Sequence, residues 1–134
     1  MTCPERKDGN ALSVHFDVEP FYMAAAQALA AHPLVPEGQC LNPGCSRTFV
    51  RSRDWQLYCS PDCRKSGDIE MRRVGLKAAP ALLAWRMGKY STTDPALREL
   101  GRTGRNYISE LQRAWLADRQ ARARMAFRAS GREK

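Results

Sequence analysis

Four cysteines fall into two close pairs. They read Cys40-Leu-Asn-Pro-Gly-Cys45, then thirteen residues, then Cys59-Ser-Pro-Asp-Cys63. No other feature constrains the chain as much. Two close pairs brought together by a short connection place four soft sulfur donors at the corners of a tetrahedron, which is the donor set of a zinc site. Pro43-Gly44 supplies the tight turn that a metal-binding knuckle needs. Ser60-Pro61-Asp62 reads as a helix start, with Ser60 as cap and Pro61 at the first helical position. Cys63 then lies in a first turn, where unpaired N–H groups favour a thiolate.

Between the pairs, Thr48, Phe49 and Val50 favour a strand, Ser52-Arg53-Asp54 offers a turn, and Gln56 to Cys59 returns. The prediction is a knuckle, one β-hairpin and a helix with ligands at its start, which is a treble-clef arrangement. No histidine or glutamate lies between Cys40 and Cys63. Four sulfurs leave no open position for a catalytic water, so the expected cofactor is one structural Zn2+ held by Cys40, Cys45, Cys59 and Cys63. The competing readings are four reduced cysteines without metal, or a disulfide. A redox pair is a weak reading, since neither pair is Cys-x-x-Cys.

Residues Met1 to Asn10 are polar and mixed in charge, and no run of 18 apolar residues exists. Neither a signal peptide nor a membrane span is predicted. The expected location is cytoplasmic, where thiols stay reduced. At 134 residues and 43% hydrophobic content, the chain suits one small domain or a module with extensions.

Patterning divides it into a loose arm at 1–18, a helix and linker at 19–39, the finger at 40–75, and a helical region with a basic tail at 76–134. Cys3 in the arm reads as a free thiol. Glu19-Pro20 opens a helical stretch to His32, with Phe21, Ala25, Ala28, Leu29 and His32 on one face, and Pro33 stops it. His15 and His32 read as ordinary histidines rather than ligands. Leu34 to Gln39, with Pro36 and Gly38, is a linker.

Helical patterning resumes at Ile69. Pro80 is expected to open a helix carrying Leu82, Leu83, Trp85 and Met87, and Gly88 to close it. Asp94-Pro95 caps and starts a short helix ending at Gly101. Thr103 or Gly104 then starts the longest helix, to about Ala129, with Ile108, Leu111 and Trp115 facing a core. Beyond Ala117 the apolar stripe weakens, and Arg119, Arg122, Arg124 and Arg128 are expected to project from the core. The fold class is therefore mainly α, with a treble-clef zinc finger, one β-hairpin, flanking helices and a long C-terminal helix.

The Cys40-x4-Cys45 pair, Phe49, and Tyr58-Cys59-Ser60-x-x-Cys63-Arg64 resemble the CGNR-type zinc finger and related treble-clef fingers of bacterial and phage proteins. The resemblance spans Cys40 to Lys65. After Cys63 the chain reads Arg64-Lys65-Ser66 rather than Gly-Asn-Arg. The resemblance implies DNA binding and transcriptional regulation, and carries over only the four cysteines as ligands.

Charge adds to that expectation. The net charge of +8 is uneven: residues 1–39 carry two Lys/Arg against five Asp/Glu, residues 40–66 five against two, and residues 67–134 fifteen against seven. Such concentration suggests an anionic partner, most simply DNA. Arg47, Arg51, Arg53, Arg64, Lys65, Arg72 and Arg73 surround or follow the finger and can neutralise phosphates. Trp55 fits a stacked base, a partner's pocket, or a cover over the metal site.

Ala96 to Thr103 followed by Arg105 to Trp115 has the outline of a helix-turn-helix, with Arg102 and Arg105 near the start of the second helix. An ordinary helical hairpin accounts for the same residues. RNA and a protein of the transcription or defence machinery are the other partner classes. Trp55, Trp85, Trp115, Met125 and Phe127 are the apolar anchors available for the latter. No nucleophile–base pair, phosphate loop or carboxylate pair stands out, so no enzymatic activity is expected.

Overall fold

The structure, a computed structural model, describes residues 18–34, 40–45, 47–53 and 55–131. The expected loose arm with Cys3 and His15, nearly all of the Leu34–Gln39 linker and Asp54 of the expected turn lie outside the described residues. Four helices follow in order: α1 (Phe21–Ala24), α2 (Ala26–Ala31), α3 (Pro61–Lys89) and α4 (Pro95–Ala129). The helical stretch at the N-terminus is therefore present but interrupted at Ala25. Neither short helix buries a residue, and both pack against neither α3 nor α4.

The helix starts expected from local chemistry are in place. The Ser60 hydroxyl accepts from the Cys63 N–H, with Pro61 at the first position of α3. One carboxylate oxygen of Asp94 accepts from the Ala96 and Leu97 N–H groups, with Pro95 opening α4. These side chains satisfy N–H groups that have no carbonyl partner inside a first helical turn.

Two expected breaks are absent, at Pro80 and between Gly101 and Gly104, while the end expected at Gly88 falls within one residue of the end of α3. Pro80 lies inside α3 rather than at a helix start, Gly88 is buried one residue before α3 ends, and Gly101 and Gly104 lie inside α4. The expected helix-turn-helix is thus one continuous 35-residue helix. An interior proline costs a helix about 3 kcal/mol in isolation. Pro80 is exposed, so its ring faces away from α4 and leaves the packed side of α3 undisturbed.

The glycines serve contact rather than termination. α3 and α4 form an antiparallel hairpin turned by Tyr90–Asp94, and near the turn their backbones almost touch. A Cβ at Gly101 would stand 2.7 Å from the Gly88 Cα, and one at Gly104 would stand 2.6 Å from the Ala81 carbonyl oxygen. Only the absence of side chains permits that approach. Further along, Ile108, Leu111 and Trp115 are half-buried against α3, as their spacing predicts.

At the far end the hairpin closes over the cysteine knuckle. Leu41 and Ala123 are buried together, with Leu57, Tyr58 and Met71 packed around them. Gly67 of α3 makes room for the Tyr58 ring, since a Cβ there would stand 2.0 Å from its hydroxyl oxygen. The C-terminal part of α4 accordingly does not project from the core: Arg119 and Ala123 are both buried.

No strand occurs among the described residues, including those of the two arms expected to form a β-hairpin between the cysteine pairs. Two backbone bonds tie the segment across, Cys40 N–H to the Arg47 carbonyl (3.1 Å) and Leu41 N–H to the Leu57 carbonyl (2.7 Å). The Gln56 side chain fills the place of a ladder. Its carbonyl oxygen accepts from the Ser52 N–H at 2.8 Å, and its amide donates to the Tyr58 carbonyl at 2.8 Å.

Paired substitutions test the contact role of the glycines. Gly101→Ala should destabilise the metal-loaded protein by about 1–3 kcal/mol, because forcing the helices apart outweighs the gain in helix propensity. Gly75→Ala, where a Cβ meets nothing within 4 Å, should stabilise it by about 0.5–1 kcal/mol. Urea unfolding of both variants at fixed metal content reads the opposite signs.

Candidate metal centre

The four cysteine sulfurs lie within 4.8 Å of one another. Cys40 and Cys45 come from the knuckle. Its turn is closed by the Asn42 carbonyl, which accepts from the Cys45 N–H at 3.0 Å, and by the Asn42 side-chain oxygen, which accepts from the Gly44 N–H at 3.1 Å. Cys59 and Cys63 flank the start of α3. The Cys45–Cys59 and Cys59–Cys63 sulfur separations are 3.6 and 3.8 Å. A tetrahedral ion with bonds of about 2.3 Å to sulfur sets edges of about 3.8 Å. None of the four is in a disulfide, and these separations are far from the 2 Å of an S–S bond. The donor set and its dimensions can hold a metal ion such as zinc.

The thiols are not equivalent. Burial pushes Cys40 up to about 12, and burial also raises Cys45. Burial is the largest single influence on Cys63 as well, and it too acts upward. Hydrogen bonding from Asn42, Ser60 and the Cys59 and Cys45 thiols outweighs it, holding Cys63 down at about 7. The Asn42 amide donates to the Cys63 sulfur at 3.4 Å. The knuckle asparagine thus prepares a ligand from the other pair.

A second cluster holds the centre against the helices, and sequence reasoning did not find it. Arg119 is only 6% exposed. Its guanidinium donates to the Leu41 carbonyl, next to ligand Cys40, and to Glu70 on α3. Arg122 and the Trp115 indole also donate to Glu70, the latter at 3.3 Å. Burial works against the Glu70 charge, but Arg122, Arg119 and Trp115 outweigh it and hold the carboxyl below its ordinary value. The available signal was spacing: Ile108, Leu111, Trp115, Arg119, Arg122 and Ala123 continue one helical face, which an apolar count breaks at the arginines.

The residues expected to meet an anionic partner fall into two places. Arg47, Arg51, Arg53 and Trp55 share the loop between the cysteine pairs. Arg51 stacks over Phe49 and Arg53 over Trp55, at 5.8 and 5.9 Å from the ring centroids. Arg64, Lys65, Arg72 and Arg73 are exposed on the first turns of α3, with Arg64 3.9 Å from Asp68. Arg102 and Arg105 are exposed at the other end of the hairpin, roughly 25–30 Å along it by helical rise. Trp55 is 38% exposed. The cleft over the cysteines is lined by Phe49, Arg47, Ser60, Ala126 and Ser130.

Comparison of the chain with protein-family models, curated proteins and solved structures found no match. The reading of this centre therefore rests on its own geometry. No helix among the described residues is long and apolar enough to cross a membrane.

Two measurements follow from this geometry. Cys40 and Cys45 are protonated at neutral pH, so metal binding at pH 7 should release about two or more protons and tighten as pH rises. Calorimetry in buffers of different ionisation enthalpy counts them. Glu70→Gln should cost about 2–3 kcal/mol, because it leaves buried Arg119 without its countercharge. That contribution is complete above the unfolded glutamate pKa of about 4.3 and is lost as pH falls through the lower folded value. The stability difference between native and variant chains should therefore vanish in acid, read by denaturant unfolding across pH.

Proposed function

We propose that the chain is a non-catalytic nucleic-acid-binding protein whose finger is stapled by one structural zinc ion, with duplex DNA as the first candidate partner. The observation that carries this reading is the loop between the cysteine pairs. It presents Arg47, Arg53 and Trp55 to solvent around Val50, which is 97% exposed. Arg64 and Lys65 stand exposed just past the last ligand. Closely spaced cations interleaved with an aromatic ring suit phosphate contact and base stacking. A rigid metal-anchored base lowers the entropy lost when such a loop engages a partner.

On this reading zinc is the ion that the four sulfurs take. Its chemistry is structural: it neutralises thiolates and fixes the loop on the start of α3. The resemblance to treble-clef fingers points the same way, to a regulator or accessory protein of bacterial or phage origin acting in the cytoplasm at the nucleoid. The second reading, a zinc-stabilised adaptor for a protein partner, is favoured by a separate observation, the apolar outer face of α3.

Titration of metal-loaded protein into a random duplex should give tight binding at low salt. Five finger cations (Arg47, Arg51, Arg53, Arg64 and Lys65) predict a slope of log affinity against log salt of about −4 to −5. Joint replacement of Arg53 and Trp55 by alanine should weaken binding at least about tenfold, while Arg102→Ala with Arg105→Ala should change it little. Absence of binding to duplex or single strands at low salt would overturn the reading. Preference for single-stranded RNA would reassign the partner.

A further inference from the structure

α3 is apolar on two opposite faces. One face, including Gly67, Val74, Ala78, Ala81 and Gly88, is turned toward α4 and is buried or half-buried. The opposite face carries Ile69, Leu76, Leu83 and, just past the helix end, Tyr90, all spaced by seven residues, with Met87 beside them. Seven residues return a helix to nearly the same face, so these side chains form one stripe about 31 Å long. All are exposed, Leu76 to 73%. A helix apolar on opposite sides is built to be covered on both. Its surroundings are mainly basic: Lys77, Arg86 and Lys89 border the stripe and Arg72 lies within it, against the acids Asp62 and Asp68.

The chain itself contains a segment of matching chemistry. Residues 18–34 contain no lysine or arginine, carry Glu19, and belong to the N-terminal region of net negative charge. Their helices pack only on each other, and Phe21 is 72% exposed. Five residues separate Leu34 from Cys40, a tether of at most about 20 Å. That length reaches the first turns of the same chain's α3, yet the segment stands off its own hairpin.

We infer that residues 18–34 of one copy seat on the outer face of α3 in a second copy, reciprocally, making an arm-exchanged dimer. Each exchange covers an apolar stripe with an apolar segment and sets negative charge beside positive flanks. Direct α3-to-α3 pairing would bring the same basic flanks together, which is repulsive. Reciprocity is what a two-fold dimer requires. It also answers the thin core, because Cys40, Leu41 and Ala123 are the only buried hydrophobic residues among those described. The inference does not depend on nucleic-acid binding, and its test contains no nucleic acid.

The test places the photo-crosslinking residue benzoylphenylalanine at Leu76 in the full metal-loaded chain and measures mass by light scattering in parallel. The expected result is a dimer whose crosslinks join position 76 to residues 18–34 of the other copy. Phe21→Ser should weaken that dimer by about tenfold or more, with helix content and metal stoichiometry unchanged. Leu76→Glu, at an exposed position, should do the same. A monomer at all concentrations, crosslinks confined to the same chain, α3-to-α3 crosslinks, or a dimer insensitive to Phe21→Ser would each overturn it.

Discussion

A guanidinium keeps its charge at any pH a protein meets, so a buried arginine must be answered by fixed partners. Arg119 has two, and they belong to different parts of the chain. One is the Leu41 carbonyl in the cysteine knuckle and the other is the Glu70 carboxylate on α3. A single side chain from α4 thereby joins the knuckle, the first helix of the hairpin and the second. Because Leu41 directly follows Cys40, the backbone position of a metal ligand and the packing of the helices are held by the same group. Arg122 and Trp115 complete the hydrogen bonding of Glu70, and a fully satisfied network of this kind favours one arrangement over its neighbours.

The rest of the fold compensates for a small core. Near the turn, Gly88, Gly101 and Gly104 allow backbone-to-backbone contact, so dispersion between main chains takes the place of interlocking side chains. At the other end the cysteine cluster supplies a covalent-strength anchor whenever metal is held, coupling metal affinity to folding. The three supports lie along one axis: glycine contact, the half-buried Ile108–Leu111–Trp115 face, and the ion network under the knuckle. Loss of either end leaves the antiparallel helices held by the other end and the half-buried middle alone.

Charge distribution takes a different meaning once the packing is known. Buried Arg119 and half-buried Arg122 pair with Glu70, and Arg102 pairs with Glu99 at 3.2 Å. The exposed cations that remain near the cysteines are those of the finger loop, the first turns of α3 and the end of α4, where Arg124 and Arg128 flank Ala126 of the cleft. Those farther along α3 border an apolar stripe. The exposed positive charge is therefore spread over the finger loop, the helix ends beside the cysteines and the outer side of α3.

The cysteine spacing, the Asn42-Pro43-Gly44 turn and the Ser60-Pro61 and Asp94-Pro95 helix starts were legible in the sequence. Each depends on residues within a few positions of one another, whose backbone geometry and hydrogen bonding are local. The periodicity that placed Ile108, Leu111 and Trp115 inward is local as well. The tertiary structure alone decided what the glycines and arginines are for. Gly101 and Gly104 read as breaks because glycine weakens an isolated helix; contact with the other helix makes the missing Cβ favourable. Arg119 read as solvated because an arginine is costly to bury; only the arrival of Glu70 and the Leu41 carbonyl, 49 and 78 residues away in sequence, makes burial tolerable. The β-hairpin expected between the cysteine pairs, where no strand occurs among the described residues, depends on tertiary context in the same way. Strand propensity at Thr48 to Val50 is a preference for pairing, and in the structure the Gln56 side chain, rather than a facing strand, accepts from the Ser52 N–H.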